Sequence, residues 1–192
     1  MKIVLLNGPP RSGKTACAKM LTERIGEDRC GILGFSYHLK HMVHAIYGLD
    51  DRGDPDMFDA VKSESLREFF FSTPREAYIW WSEKAAKVAH GDRFFGDMWL
   101  KRAKEMNKAF MFVPDCGFHS EVIPLIREYG PENLLLCRIH REGTSFANDS
   151  RNYIDLRDSD VLQWQVANLK DEPEYMVDCV LEGMDAAFGV KL

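Results

Sequence analysis

Near its start the chain carries Gly8-Pro9-Pro10-Arg11-Ser12-Gly13-Lys14-Thr15, which fits the pattern G-x-x-x-x-G-K-[ST], directly after an apolar run from Lys2 to Asn7. Strand, glycine loop and helix in that order constrain the fold more than anything else in the sequence. In such a loop consecutive backbone N–H groups point inward around phosphate oxygens, the lysine reaches the outer phosphates, and the Ser/Thr hydroxyl joins the shell of Mg²⁺. Gly8 and Gly13 allow torsions and close approaches that a Cβ would block. Lys14 opens a helix whose positive end faces the anion. Ile3, Val4, Leu5 and Leu6 are continuously apolar, as a parallel strand buried on both faces requires. Cys17, Leu21 and Ile25 then recur at four-residue spacing until Gly26 stops the helix.

The alternation continues. Cys30 to Phe35 reads as a second strand, and Ser36 caps a helix with an apolar stripe of Leu39, Met42, Val43, Ile46 and Tyr47, ended by Gly48. His38, His41 and His44 lie opposite that stripe and lack a carboxylate or cysteine at ligand spacing, so they do not read as a metal site. Asp50 to Asp59 is an exposed loop. Thr73-Pro74-Arg75-Glu76 is a capping box that starts a helix running towards Ala89, and a further helix spans roughly Asp97 to Asn107. Ala109 to Val113 is a buried strand ending at Pro114-Asp115. A helix over Ser120 to Tyr129, a strand over Leu134 to Ile139, a polar segment from His140 to Asp160, a strand over Leu162 to Val166 and a closing helix from Pro173 complete the pattern. Trp80, Trp81, Trp99 and Phe69-Phe70-Phe71 read as core at helical spacing.

The expected fold class is α/β: a doubly wound, mostly parallel sheet of about five strands with helices on both faces. One domain, 1–192, is expected, with residues 34–108 as a helical acceptor-binding insertion and 140–160 as a short lid.

Composition excludes several alternatives. A formal net charge of −5 argues against a broad footprint for nucleic acid. The odd number of cysteines, widely spaced in apolar segments, reads as free thiols in a reducing compartment. No apolar run approaches the ~18 residues of a membrane span, and the first strand begins at residue 2 without a leader. The expectation is a soluble, cytoplasmic chain that binds small-molecule nucleotides, engages no membrane, and is compatible with a homodimer.

Ligands in a doubly wound sheet bind beyond the carboxyl ends of the strands. Asp115 stands at such an end, where a carboxylate is costly unless it has a task, and it is the candidate to orient Mg²⁺ together with Thr15, or to contact the acceptor. Phosphoryl transfer also needs cations from several directions. Lys14 and Arg11 supply them from the loop, Arg141 and Arg151 from the lid, and Arg75 offers a planar fork to an acceptor phosphate. Phe35 and Tyr37, just past a strand, are candidates for a base pocket.

Taken in order, the loop P-x-R-S-G-K-T, Phe35-Ser36-Tyr37-His38-Leu39-Lys40 with Tyr47-Gly48, Thr73-Pro74-Arg75-Glu76-Ala77, Gly91-Asp92 with Trp99, and Val113-Pro114-Asp115 with Glu121 resemble the deoxynucleoside monophosphate kinases of tailed bacteriophages. The similarity runs from residue 1 to about residue 168. It implies a P-loop kinase fold that moves the γ-phosphate of ATP, with Mg²⁺, to a deoxynucleoside monophosphate, in the host cytoplasm if the chain is phage-encoded. It also implies that Gly8 to Thr15 bind ATP, that Phe35, Lys40 and Arg75 serve the monophosphate, that Asp115 is the acidic residue closing the third sheet strand, and that Arg141 and Arg151 belong to the lid. Two departures stand out: Asp115-Cys116-Gly117 where the family often has Asp-x-Arg, and Arg141-Glu142-Gly143 in place of Arg-Pro-Gly. Another P-loop small-molecule kinase, acting on dephospho-coenzyme A or a nucleoside, and a nucleotide-binding regulatory module remain the alternatives.

Overall fold

Alternate residues of β1 (Lys2–Asn7) face opposite sides of a sheet, and both sides are apolar, so the strand must be covered twice. The computed structural model, which describes residues 1–147, 149–170 and 172–191, shows how this is done. β1 is hydrogen-bonded on one side to β3 (Phe110–Cys116) and on the other to β4 (Leu134–His140). With β2 (Cys30–Ile32) and β5 (Leu162–Ala167) at the edges, the order is β2-β3-β1-β4-β5, every pair parallel. This is the doubly wound sheet expected from the alternation of strands and helices.

Val4 and Leu6 point to one face with Phe112, Leu135 and Cys137, where α1 (Lys14–Ile25) and α7 (Pro173–Phe188) pack through Leu21, Val177 and Val180. Ile3 and Leu5 point to the other face with Met111, Val113 and Leu136, covered by α5 (Phe94–Met106) and α6 (His119–Tyr129). Buried side chains of this size each contribute about 1.5–3 kcal/mol. A third cluster lies away from the sheet. There α2 (Tyr37–Ile46), α3 (Pro74–Trp81) and the intervening short turns close around Phe69, Val43 and Leu49. The five cysteines are free, and no helix among the described residues is long and apolar enough to cross a membrane.

Several boundaries differ from expectation for local reasons. β2 ends at Ile32, because the chain turns at Gly34 to begin α2, and one further bond, from Leu33 N–H to Phe112 C=O, tapers the pairing. β3 runs on past Pro114 to Cys116; proline has no N–H to donate, and the register with β1 shifts between Leu5 and Asn7 at this level. The helix expected from Pro74 to Ala89 is interrupted by a π-helical turn, Ser82–Ala86, before α4 (Lys87–His90). α5 starts at Phe94 rather than Asp97.

The aromatic residues divide. Trp99 and Phe69 are fully buried, whereas Trp80, Phe70 and Phe71 are more than half exposed and so are not core. Trp99 Nε1–H donates to Leu33 C=O at 2.7 Å, pinning α5 to the end of β2. The α2 stripe is also rotated from the expected one: His44 is buried against Phe58, Phe69 and Tyr78, with His44 Nε2 2.8 Å from the Tyr78 hydroxyl, while Ile46 is exposed. A ring with a polar edge fits that aromatic nest and finds a partner in it.

Trp99→Phe keeps the bulk of the ring but strips the Leu33 carbonyl of its donor. Urea unfolding should show a loss of about 1–3 kcal/mol, the cost of an unsatisfied buried acceptor; an unchanged midpoint would mean water replaces the indole.

Candidate phosphate-binding site and acceptor cavity

The glycine loop joins the buried end of β1 to α1. Gly13 takes φ +94°, a left-handed conformation costly for a side chain, and a Cβ there would stand 2.5 Å from Nδ2 of Asn168. That same Nδ2 donates to Ser12 C=O at 2.8 Å, so the residue after β5 fixes the loop from outside. Arg11 also takes a positive φ, +64°, a strain of the kind that concentrates at ligand-binding turns.

Lys14 is buried and curls back over its own loop, its ammonium donating to Gly8 C=O at 2.6 Å and Pro9 C=O at 2.7 Å. Burial, reinforced by the nearby Arg151 guanidinium, pushes the Lys14 pKa down to about 8, with Asp115 and Asp149 pulling the other way. A polyanion in the loop would supply the missing counter-charge.

Beside the loop opens a cavity of about 280 Å³. The loop contributes Pro10, Arg11, Lys14 and Thr15 to its wall, and the region between β2 and β3 contributes Phe35, Ser36, Lys40, Lys62, Arg75 and Tyr78. Asp115, Phe118 and Glu121 enter from β3 and α6, and Asp149 and Arg151 from the segment after β4. The expected acceptor region and part of the expected lid thus share one cavity with the phosphate loop.

Half of the cations in this wall are already paired with carboxylates. Arg75 Nη2 and Arg151 Nη2 both reach Oδ2 of Asp149, at 2.7 and 2.8 Å, and Arg151 Nε adds a bond to Oδ1 at 2.9 Å. The Asp149 side chain is only 2% exposed between them. Burial alone would raise its carboxyl, but the hydrogen bonds and charge of Arg151, with Arg75 behind, hold it well below the usual carboxylate range. Lys40 is gripped by Asp56 at 2.6 Å and Asp59 at 2.9 Å. Lys62 has no ion-pair partner among the described residues, and burial lowers its pKa, with Lys40, Arg75 and Arg151 adding repulsion while Asp59 opposes them.

Asp115 has a task the sequence did not reveal. Its Oδ1 accepts from Phe35 N–H at 2.8 Å, and its Oδ2 from Ser36 N–H at 2.9 Å and Ser36 Oγ at 2.6 Å. It therefore holds the turn into α2 while facing the cavity.

Arg151 lies along Gly117: a Cβ at 117 would fall 2.6 Å from Arg151 Cγ, so the glycine standing where an arginine was expected makes room for one delivered from another segment. Arg141 donates to Arg11 C=O at 3.1 Å, on the outside of the phosphate loop rather than in the cavity wall. Tyr37 corrects an expectation. Its ring packs on His41 and His38 with centroids 4.4 and 5.1 Å away and is not in the wall, because one step along α2 turns it from the cavity that Ser36, Leu39 and Lys40 face. Phe35 does line the wall, 2% exposed and tilted on Trp99.

The expected lid also splits. Asp149 to Arg151 face the cavity, whereas Ile154 and Leu156 are buried in the sheet core, and the Arg138 guanidinium holds Ile154 C=O. Lys62, Ser36, Asp149 and Glu121 are among the polar wall residues that the sequence did not assign to the site. Ser36, at a helix start, and Glu121, a charge adjoining the apolar stripe of its helix, left a sequence trace; Lys62 and Asp149 did not.

No family model matches this chain, and neither does any curated protein. Among solved structures it is similar to a gluconokinase from Sinorhizobium meliloti 1021, with TM-score 0.46 and 13% identity over 96% of this chain and 92% of that one. It is also similar to a dephospho-CoA kinase from Campylobacter jejuni, with TM-score 0.42 and 12% identity over 96% of each chain. At this level of similarity neither says what this chain binds.

Asp149→Asn would leave two guanidinium groups without their shared carboxylate and should cost about 1–3 kcal/mol at neutral pH, discounted for the partial exposure of both arginines. Because the native carboxyl is held low, its contribution is complete above the unfolded value near ~3.9 and fades as pH falls below it. The gap between wild-type and variant urea midpoints should therefore close on acidification below about pH 4. A gap that persists there would assign the loss to packing.

Proposed function

We propose that this chain is an ATP-dependent kinase that transfers the γ-phosphate of ATP to a deoxynucleoside monophosphate. The observation that carries this reading is the cavity itself: it begins at Lys14 and Thr15 of the phosphate loop, and its wall is studded with Lys40, Lys62, Arg75 and Arg151. One anion is accounted for by the loop; Lys62, without an ion-pair partner among the described residues, and the guanidinium donors of Arg75 and Arg151 that Asp149 leaves unused call for a second. That favours an acceptor that already carries a phosphate over an uncharged nucleoside, and the resemblance to phage monophosphate kinases agrees with it.

In this reading the loop amides of Gly8 to Thr15 cradle the triphosphate, and Lys14 releases its own carbonyls to reach the β- and γ-phosphates. Arg11, in the cavity wall, and Arg141, at the loop's outer side, add positive charge over the phosphates. Arg75, Arg151 and Lys62 hold the acceptor phosphate, and Lys40 stands behind them in its pair with Asp56 and Asp59. An acceptor phosphate oxygen then attacks the γ-phosphorus in line, its bond forms as the bond to the ADP oxygen breaks, and no covalent enzyme intermediate is needed. Thr15 and Asp115 place a hydroxyl and a carboxylate on the same cavity wall, a hard-oxygen set that suits Mg²⁺. Bound there, the ion would neutralise charge building on the phosphate oxygens.

The test is ADP release measured with each deoxynucleoside monophosphate, with dephospho-coenzyme A and with no acceptor. Stimulation by at least one monophosphate is expected; stimulation by dephospho-coenzyme A alone would move the assignment, and slow release indifferent to any acceptor would make the chain a nucleotide-binding module. Lys14→Ala should lower turnover on the order of 10²-fold or more. Lys62→Met should raise the acceptor KM about tenfold, the loss of one charge-assisted hydrogen bond, and leave the KM for ATP unchanged. Equal effects on both KM values would place Lys62 outside the acceptor subsite.

A further inference from the structure

Glu121 is a carboxyl the phosphoryl-transfer machinery does not use. It stands in the first turn of α6, is 6% exposed, and faces the acceptor cavity. Its carboxyl has neither a hydrogen bond nor an ion pair among the described residues, although its backbone N–H donates to Phe118 C=O. Every charged group near it is accounted for elsewhere. Arg151, from the segment after β4, is held by Asp149. Lys87, from α4, is bound to Glu83 at 2.5 Å and lies over the Phe118 ring, 4.5 Å from its centroid. Glu83, from the π-helical turn, is thereby neutralised, and Asp115, from β3, holds Phe35 and Ser36. An unpartnered buried carboxyl is costly, and a site that keeps one does so for something that arrives later.

The surrounding wall indicates what arrives. Leu39, Tyr78, Ile79, Phe95 and Phe118 line the same cavity as Glu121 and make much of its wall apolar and aromatic. Ser82 is brought in by the π-helical turn, an irregularity that tends to occur at functional sites. Apolar and aromatic walls with a few polar groups between them suit the edge of a planar heterocycle.

We infer that Glu121 determines acceptor specificity by reading the ring of the nucleotide, its carboxyl acting as one donor and one acceptor toward a base edge that carries an N–H beside an acceptor atom. This rests on the nucleotide-kinase reading of the site. Burial pushes Glu121 up to about 8 and Asp115 pushes the same way, against the pull of the α6 dipole and of Lys87 and Arg151. At pH 7 the group is therefore mostly the undissociated acid, which has both a donor and an acceptor to offer.

The neutral acid has an isostere, the glutamine amide, which also presents one donor and one acceptor. Binding of the four common deoxynucleoside 5′-monophosphates, without ATP, should be measured calorimetrically for wild type, Glu121→Gln and Glu121→Met. For the tightest binder, Glu121→Gln should stay within about threefold at pH 7, and Glu121→Met should weaken binding at least tenfold, both with cooperative thermal unfolding. Between pH 6.5 and 8.5 the wild-type affinity should fall more steeply than that of Glu121→Gln, which keeps only the loss shared by both proteins as Lys14 and Lys62 give up charge. Methylating the paired N–H of that nucleotide should weaken binding to wild type as much as Glu121→Met does, and add little in Glu121→Met. If Glu121→Gln loses as much as Glu121→Met, or if Glu121→Met binds like wild type, the inference is overturned while the kinase reading stands. If no monophosphate binds and another acceptor is phosphorylated, both fall.

Discussion

The side-chain amide of Asn7 ties the candidate site together. It is fully buried at the end of β1, where its Nδ2 donates to Cys116 C=O at 2.9 Å and to Asn152 C=O at 3.1 Å, and its Oδ1 accepts from Ile154 N–H at 3.1 Å. Three segments meet there: the strand that feeds the phosphate loop, the end of β3 next to Gly117, and the return segment that carries Arg151. None of these could shift without leaving a buried amide unpaired, and such a group costs about 1–3 kcal/mol. A central parallel strand, bonded on both sides and apolar on both faces, gives that anchor a rigid base. The geometry around Lys14 follows from this arrangement, because the loop's other end is held by Asn168.

Charge is handled economically around the cavity. Four of the basic side chains in its wall are positioned in advance: Lys14 by carbonyl oxygens, Lys40 by two aspartates, and Arg75 with Arg151 by one aspartate. Preformed cations lose less freedom when an anion binds, so more of the interaction remains for affinity and for the transition state. Asp149 then plays two opposing parts. It orients both guanidinium groups and also occupies the donors that an incoming phosphate would use.

How far the sequence revealed this depends on the kind of signal. The glycine loop, the buried strands and the alternation with helices were legible because each is a local pattern with a fixed period or spacing. The capping box at Thr73 and Glu76 forms with both reciprocal bonds. The wall residues were less legible. Lys62 lies among short turns without periodicity, and the pairing of Asp149 with Arg75 spans 74 positions, a contact no local pattern encodes. The misassigned residues failed for a related reason: His44 sits where expected along α2, but its burial is set by Tyr78 and Phe69, distant in sequence, and Tyr37 is turned by the helix away from a cavity whose position the sequence does not give. The length of β3 was underestimated because Pro114 reads as a stop, though a proline is tolerated where the ladder is already irregular.

The bare backbone at Gly117 has a consequence for how the chain could vary. Because the stem of Arg151 fills the space a side chain at 117 would take, the two positions cannot be occupied by bulky groups together. They should covary: an ancestor or cousin with arginine at 117 should carry something short at 151. Exchanging one for the other would transfer a guanidinium from the sheet framework to the returning strap without removing it from the cavity.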